Sequence, residues 1–227
     1  TISGAYPPGS TFKMITALAA LEEGVITQNT SFTCTGYHEI GRDRFHCWKR
    51  SGHGRVDLVK SLEQSCDVFY YEVAEKLGIE KIAAMARKFG MGHKLGVDLP
   101  SERPGLVPDK DWKRGHFGSK WQVGETVVAA IGQGYLQTTP LQLATMTARL
   151  INGGLAVKPH IRLGEGDTGP FPKLNVQKRH LDLIIRGMNA VTNKEKGTAH
   201  SSRIEKRKWA MGGKTGTAQV KRITRAQ

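Results

Sequence analysis

Tyr6-Pro7-Pro8-Gly9-Ser10-Thr11-Phe12-Lys13 is the stretch from which the rest of the chain is best read. Two prolines and a glycine predict an extended lead that turns into a helix, with Ser10 at its N-cap or in its first turn. Apolar residues then recur at Phe12, Ile15, Leu18 and Leu21, the spacing of a buried helix, and Gly24 predicts its stop. Ser10 and Lys13 lie three residues apart, so a helix places them on one face with the amine within reach of the hydroxyl. A serine hydroxyl is a poor nucleophile until a base takes its proton. Lysine serves as that base only when burial or a second cation depresses its pKa. Free backbone N–H groups at a helix start also suit an oxyanion. By itself, Ser-x-x-Lys equally describes an ordinary helix start with a solvated lysine.

Two further clusters carry matching chemistry. Ser65-Cys66-Asp67 falls at a break between helical stretches within Asp57–Phe89, which breaks again at Gly78. There Ser65 suits a proton relay and Asp67 suits holding a lysine, although the pair also reads as a helix N-cap. Lys214-Thr215-Gly216-Thr217 follows a glycine-rich turn, and Thr215–Val220 reads as a strand. A cation, two hydroxyls and a small residue would line one side of a cleft. Backbone N–H groups along such a strand pair with an extended peptide. The alternative is a hairpin edge kept soluble by its lysine.

Elsewhere the reading is coarser. Thr27–Val56 lacks periodicity and is expected to be a long loop, which needs something to order it. Gly90–Trp121 is rich in Gly and Pro and reads as irregular, while Pro140–Asn152 and Leu181–Val191 read as helices. The formal charge of +14 suits nucleic acid, anionic lipid or an acidic polymer. No Arg/Lys stripe with interleaved aromatics accompanies it, so nucleic acid is not an expected partner. No apolar run approaches the roughly 20 residues that span a bilayer.

The three motifs in this order resemble the class B penicillin-binding proteins, and the resemblance extends well beyond them. Tyr6–Lys13 looks like that family's active-site segment. Gly96-Val97-Asp98-Leu99-Pro100-Ser101-Glu102 and Ile131-Gly132-Gln133-Gly134-Tyr135, running to Thr139-Pro140-Leu141-Gln142, are similar as well. Ser-x-Asp, with Gly52-His53-Gly54-Arg55 upstream, resembles the branch of penicillin-binding protein 2, the elongation transpeptidases. The resemblance implies an α+β transpeptidase fold over residues 1–227 and a peptidoglycan D,D-transpeptidase that β-lactams acylate. It implies Ser10 as nucleophile, Lys13 as its base, Ser65 as proton shuttle and Asp67 as anchor. Lys214 would belong to the catalytic set and also hold substrate with Thr215 and Gly216, Thr217 would contact its terminal carboxylate, and the N–H groups of Ser10 and Thr217 would form the oxyanion hole. It implies stem peptides as substrate and no cofactor for catalysis. It also implies a membrane glycan polymerase and other elongation proteins as partners, and a periplasmic position behind an inner-membrane anchor. Family members wrap a five-stranded sheet around the active-site helix, so the sheet is expected to be incomplete in this chain, with the anchor, pedestal and C-terminal strands absent. A β-lactamase or a β-lactam sensor domain shares the motifs. The first needs a deacylating base that no residue here clearly supplies. The second is told apart by a signalling region outside this stretch.

Cys34, Cys47, His53 and Cys66 follow the pattern C-x12-C-x5-H-x12-C. Zinc accepts three thiolates and one imidazole, and such an ion would order the Thr27–Val56 segment and brace the site from behind. His46 and His38 are substitute ligands. The alternative is a Cys34–Cys47 disulfide with Cys66 a buried thiol. The resemblance favours the metal, because some relatives of penicillin-binding protein 2 bind one in this region.

Overall fold

The computed structural model describes residues 1–162 and 169–218. A 3-10 turn at Gly9–Phe12 leads directly into helix α1, Lys13–Glu22. Every residue of α1 from Lys13 to Leu21 is buried. A helix covered all round has to sit at the centre of the domain, and α2 (Leu58–Glu63), α3 (Asp67–Leu77), α4 (Ile79–Lys88) and α8 (Lys178–Asn193) pack around it. The expected stop is present: Gly24 takes φ 67°, and the N–H of Val25 returns to the carbonyl of Ala20 at 2.9 Å. The expected breaks fall between α2 and α3 and at Gly78, between α3 and α4. The helix expected at Pro140–Asn152 is α7, Pro140–Ile151. Thr139 caps it, its hydroxyl accepting from the N–H of Gln142.

Three expectations are corrected. Thr27–Val56 is not a structureless loop. Strand β1 (Ser31–Cys34) pairs antiparallel with β4 (Gly54–Asp57), and β2 (Tyr37–Ile40) with β3 (Asp43–His46), nesting one hairpin inside the other. Strands of four residues are too short for alternation to show in the sequence. Gly36 and Gly52 make the nesting feasible. A Cβ on Gly36 would lie 2.0 Å from the Arg50 carbonyl, and one on Gly52 2.2 Å from that of Cys34. The Gly90–Trp121 stretch contains helix α5, Lys110–Phe117, started by the Asp109 cap and ended by Gly118 at φ 64°. Lys113 is its one buried residue, so no apolar stripe announced it. The strand expected at Thr215–Val220 is absent at residues 215–218, and residues 219–220 lie outside the described residues. A strand requires a neighbouring ladder; this segment lies instead against the Gly9–Phe12 turn and Gln133. Helix α6, Val123–Ala130, opens with a capping box from Gln122 and Glu125.

The fold is thus α+β, helices with two small antiparallel sheets among the described residues. No helix there is long and apolar enough to cross a membrane.

One backbone contact sets the position of the Ser10 turn. Gly9 N–H donates to the Gly132 carbonyl at 2.9 Å, and a Cβ on Gly132 (φ 79°) would stand 2.0 Å from the Gly9 carbonyl. Gly132→Ala is expected to cost about 1–3 kcal/mol from the left-handed backbone and more from the clash. Gly24→Ala, at φ 67° with open space around it, carries only the first term. Thermal melting of the two variants checks this: Gly132→Ala must melt clearly lower than Gly24→Ala.

Candidate active site

Ser10 lies in the 3-10 turn ahead of α1, where backbone N–H groups lack partners within the turn. Lys13, one turn on, is fully buried. Its ammonium donates to Asp67 Oδ1 at 2.6 Å, to the Ser65 carbonyl at 2.9 Å and to Ser65 Oγ at 3.2 Å. All three donors are therefore used on the Ser65–Asp67 corner. The helical spacing expected to bring the Lys13 amine within reach of Ser10 places the two one turn apart; no hydrogen bond joins them in this arrangement, where the buried carboxylate attracts the ammonium more strongly. Its Nζ also sits 5.5 Å from the centre of the Tyr70 ring.

Ser65 is a non-glycine residue at φ 52°. That strained turn directs consecutive side chains to opposite sides, a feature concentrated at functional sites. Ser65 faces the two lysines while Cys66, fully buried, faces the other way. Lys214 Nζ reaches Ser65 Oγ at 2.9 Å from the opposite side. One hydroxyl thus lies between two amines. Burial first, and the charge of Lys13 second, lower the Lys214 amine to about 7, against the pull of Asp67. It is the amine that carries a neutral fraction near neutral pH.

The Lys214–Thr217 segment is fastened by its neighbours. Thr198 Oγ1 pairs with Thr215 Oγ1 at 2.8 Å, and Thr198 N–H donates to the Glu63 carbonyl at 3.0 Å. Gln133 Nε2 donates to the Thr217 carbonyl at 2.9 Å. Gly216 is required for packing: a Cβ there would come within 2.9 Å of Thr11 Cγ2 and 3.2 Å of the Pro8 carbonyl. Ser10, Ser65, Thr215, Gly216 and Thr217 line one cleft of about 750 Å³, together with His46, Trp48 and Arg50.

Behind this corner, Cys34, Cys47, His53 and Cys66 converge. Their ligand atoms lie within 4.8 Å of one another, and all four residues are buried. The cysteines are free thiols, so the disulfide alternative is not realised. His53 Nδ1 sits 3.6 Å from Cys34 Sγ and 3.5 Å from Cys47 Sγ. Sulfur at about 2.3 Å and nitrogen at about 2.0 Å from a tetrahedral ion stand about 3.5 Å apart. His53 Nε2 is buried without a partner. The Cys47 thiol is pushed down, chiefly by the Cys66 hydrogen bond and then by His53 and backbone N–H groups, against burial; the same bond pushes Cys66 up. The donor set fits a thiophilic cation such as zinc. The substitute ligands lie elsewhere: His38 pairs with Glu72 and Glu75, and His46 lines the cleft.

Trp48, Thr198 and Gln133 went unassigned in the sequence. Trp48 joins the two sites. Its backbone N–H donates to Asp67 Oδ2 at 2.9 Å and its indole N–H to the Ser65 carbonyl at 3.1 Å, while its ring meets that of His53. The only sequence signal was its place beside Cys47.

Ser10 at the head of a central helix, with two lysines meeting on Ser65 beside it, is an arrangement suited to acyl transfer through a serine. The penicillin binding protein transpeptidase domain matches residues 1–226, and the chain belongs to that family. Among curated relatives, it is 37% identical over 228 residues to the peptidoglycan D,D-transpeptidase MrdA of Escherichia coli K12, covering 96% of this chain and 36% of the relative. Among solved structures, Pseudomonas aeruginosa PBP2 in complex with WCK 5153 superposes with a TM-score of 0.91 at 37% identity, covering 96% of this chain and 51% of that one. PBP2 of Helicobacter pylori, in complex with MreC, gives 0.89 at 39% identity, covering 96% and 41%. The chain spans about a third of the length of the curated relatives it matches.

Asp67→Asn removes the charge that balances buried Lys13. Uncompensated buried charge costs about 3–5 kcal/mol, and urea unfolding is expected to show a loss of that order.

Proposed function

We propose that this chain is the acyl-transfer domain of a peptidoglycan D,D-transpeptidase that cross-links stem peptides during cell elongation and is acylated by β-lactams. The observation that carries this reading is the convergence of Lys13 and Lys214 on one hydroxyl, Ser65, behind Ser10. Ser10 Oγ attacks the carbonyl of the penultimate D-alanine. Its proton passes to Lys13 as Lys13 gives one to Ser65 Oγ and Ser65 gives its own to neutral Lys214. Lys13 thereby stays paired with Asp67, and the added charge rests on Lys214. The N–H groups of Ser10 and Thr217 face the oxyanion, and Thr215 and Thr217 bind the terminal carboxylate. The tetrahedral species then collapses, the peptide C–N bond breaks, and the proton returns along the same relay to the departing D-alanine amine. An amine of a second stem attacks the acyl-serine and gives up its proton by the same path. A β-lactam mimics the first half and remains attached.

The elongation role, the membrane glycan polymerase and other elongation proteins as partners, and an anchored, periplasmic setting rest on similarity to the PBP2 relatives. Nucleic acid is not proposed as a partner. Cys34, Cys47, His53 and Cys66 would hold a structural zinc, whose binding energy would hold the nested hairpins against their ordering entropy. No catalytic step needs it.

Labelling with a fluorescent penicillin, followed by intact mass, tests the assignment. A one-to-one adduct that decays slowly and vanishes in Ser10→Ala is expected; rapid release of opened drug would favour a β-lactamase instead. The neutral Lys214 amine is the reactive form, so acylation should rise as pH climbs through about 7. Lys214→Arg, which stays charged, should lose that limb and label at least about tenfold more slowly. For the metal, plasma mass spectrometry of protein purified without chelator should return one zinc per chain. Chelation should expose three reactive thiols and lower the melting temperature; a metal-free, fully stable protein would remove the zinc assignment.

A further inference from the structure

Beyond the cleft wall lies an aromatic surface that acyl transfer does not use. Asp109 caps α5 by accepting from the Trp112 N–H at 2.7 Å, and the helix sets Trp112 and His116 one turn apart on one face. Their rings stack at 5.3 Å with an interplanar angle of 11°. Phe117 meets Trp112 edge-on at 5.7 Å, and Tyr135 closes the group at 5.2 Å from Trp112 and 5.4 Å from Phe117. Phe117 is nevertheless 50% exposed and Tyr135 37%. Four rings gathered at the surface rather than in the core mark an interaction site.

The surface adjoins the cleft through a short stretch of chain, since Gln133 lines the cleft. Tyr135 stands two residues beyond Gln133, whose amide holds the Thr217 carbonyl. Beside Tyr135 opens a mainly apolar cavity of about 130 Å³, lined by Pro108, Trp121, Gly124, Val128 and Gly134 among others. The Trp112 indole N–H and the Tyr135 hydroxyl make no hydrogen bond among the described residues, which leaves polar groups at the rim of an apolar ledge.

We propose that this ledge binds the carbohydrate strand that carries the stem peptides, specifically an N-acetylated hexosamine. The inference rests on the transpeptidase reading for its geometry: a peptide threaded into the cleft leaves its sugar at the rim. A pyranose presents axial C–H groups on its face, and these meet the negative face of an aromatic ring. The acetamido methyl enters the cavity beside Tyr135, and the free N–H and O–H at the rim meet sugar hydroxyls. Lys110, Arg114 and Lys120 flank the ledge, and basic residues beside aromatic ones are also the signature of a membrane surface. The rings here pack edge and face on one another instead of projecting singly, and Tyr135 also lines the small cavity; a flat aromatic ledge beside one pocket favours the sugar.

The test is titration of the purified protein with the tetramer of N-acetylglucosamine, read by tryptophan fluorescence and NMR shifts. Saturable binding is expected, weakened about tenfold by Phe117→Ser and by Trp112→Ala. Trp112→Phe should retain binding and lose the fluorescence change. Penicillin labelling of each variant should match the parent, which shows that the fold and cleft are intact. Absence of tetramer binding in a parent protein that labels normally overturns the proposal. So does binding to phosphatidylglycerol vesicles that Phe117→Ser abolishes while the tetramer has no effect, because the ledge is then a membrane contact. Failure of penicillin labelling counts against the reading of the cleft and not against the ledge, since the sugar titration is read separately.

Discussion

The buried ion pair between Lys13 and Asp67 is the constraint from which the site follows. Lys13 comes from the central helix and Asp67 from the first turn of α3, and the two are held at 2.6 Å with the lysine fully covered. A charge removed from water has to be paired and hydrogen-bonded. The ammonium meets that demand with three acceptors on one corner, which fixes α1 against the α2–α3 break. Ser65 is then set between Lys13 and Lys214, and the nearby ammonium is one reason that Lys214 titrates near neutrality. The placement of Lys13, Ser65 and Lys214 thus depends on one contact, and so would the proposed proton relay.

The corner is supported from the rear. Asp67 receives the Trp48 N–H on its second oxygen, while its own N–H donates to Cys47 Sγ at 3.4 Å. Trp48 follows Cys47 directly, so any ion held by the four ligands would fix the carboxylate through two residues. The left-handed turn at Ser65 separates the two chemistries: the hydroxyl turns to the cleft, the Cys66 thiol to the cluster. The ordering of the nested hairpins and the orientation of the Ser65–Asp67 corner are consequently parts of one assembly.

Much of this was legible before any coordinates. The helix of residues 13–22, the breaks near Ser65 and Gly78, and the capped helix after Thr139 were carried by periodicity and capping chemistry, which act over a few residues. The short strands at 31–57 were not, because four-residue strands are defined by partners distant in sequence. Helix α5 escaped notice because its face is aromatic and half exposed, with no apolar stripe to read. The strand expected after Lys214 did not form over residues 215–218, since a strand-like run of residues supplies no neighbouring ladder of its own.

The sequence by itself determined which chemical groups are present: serine, two lysines, a second serine and an aspartate, with three thiols and an imidazole nearby. Side-chain chemistry is carried residue by residue, and helical spacing sets who is near whom over one turn. Only the tertiary structure decided how those groups pair. It directed Lys13 to Asp67 and Ser65 rather than to Ser10, because a buried carboxylate outcompetes a neutral hydroxyl for an ammonium. It brought Lys214 across the cleft to the same hydroxyl, and it inserted Trp48 between cluster and corner. Those contacts join segments from 17 to 149 positions apart, and no local pattern records a separation of that size.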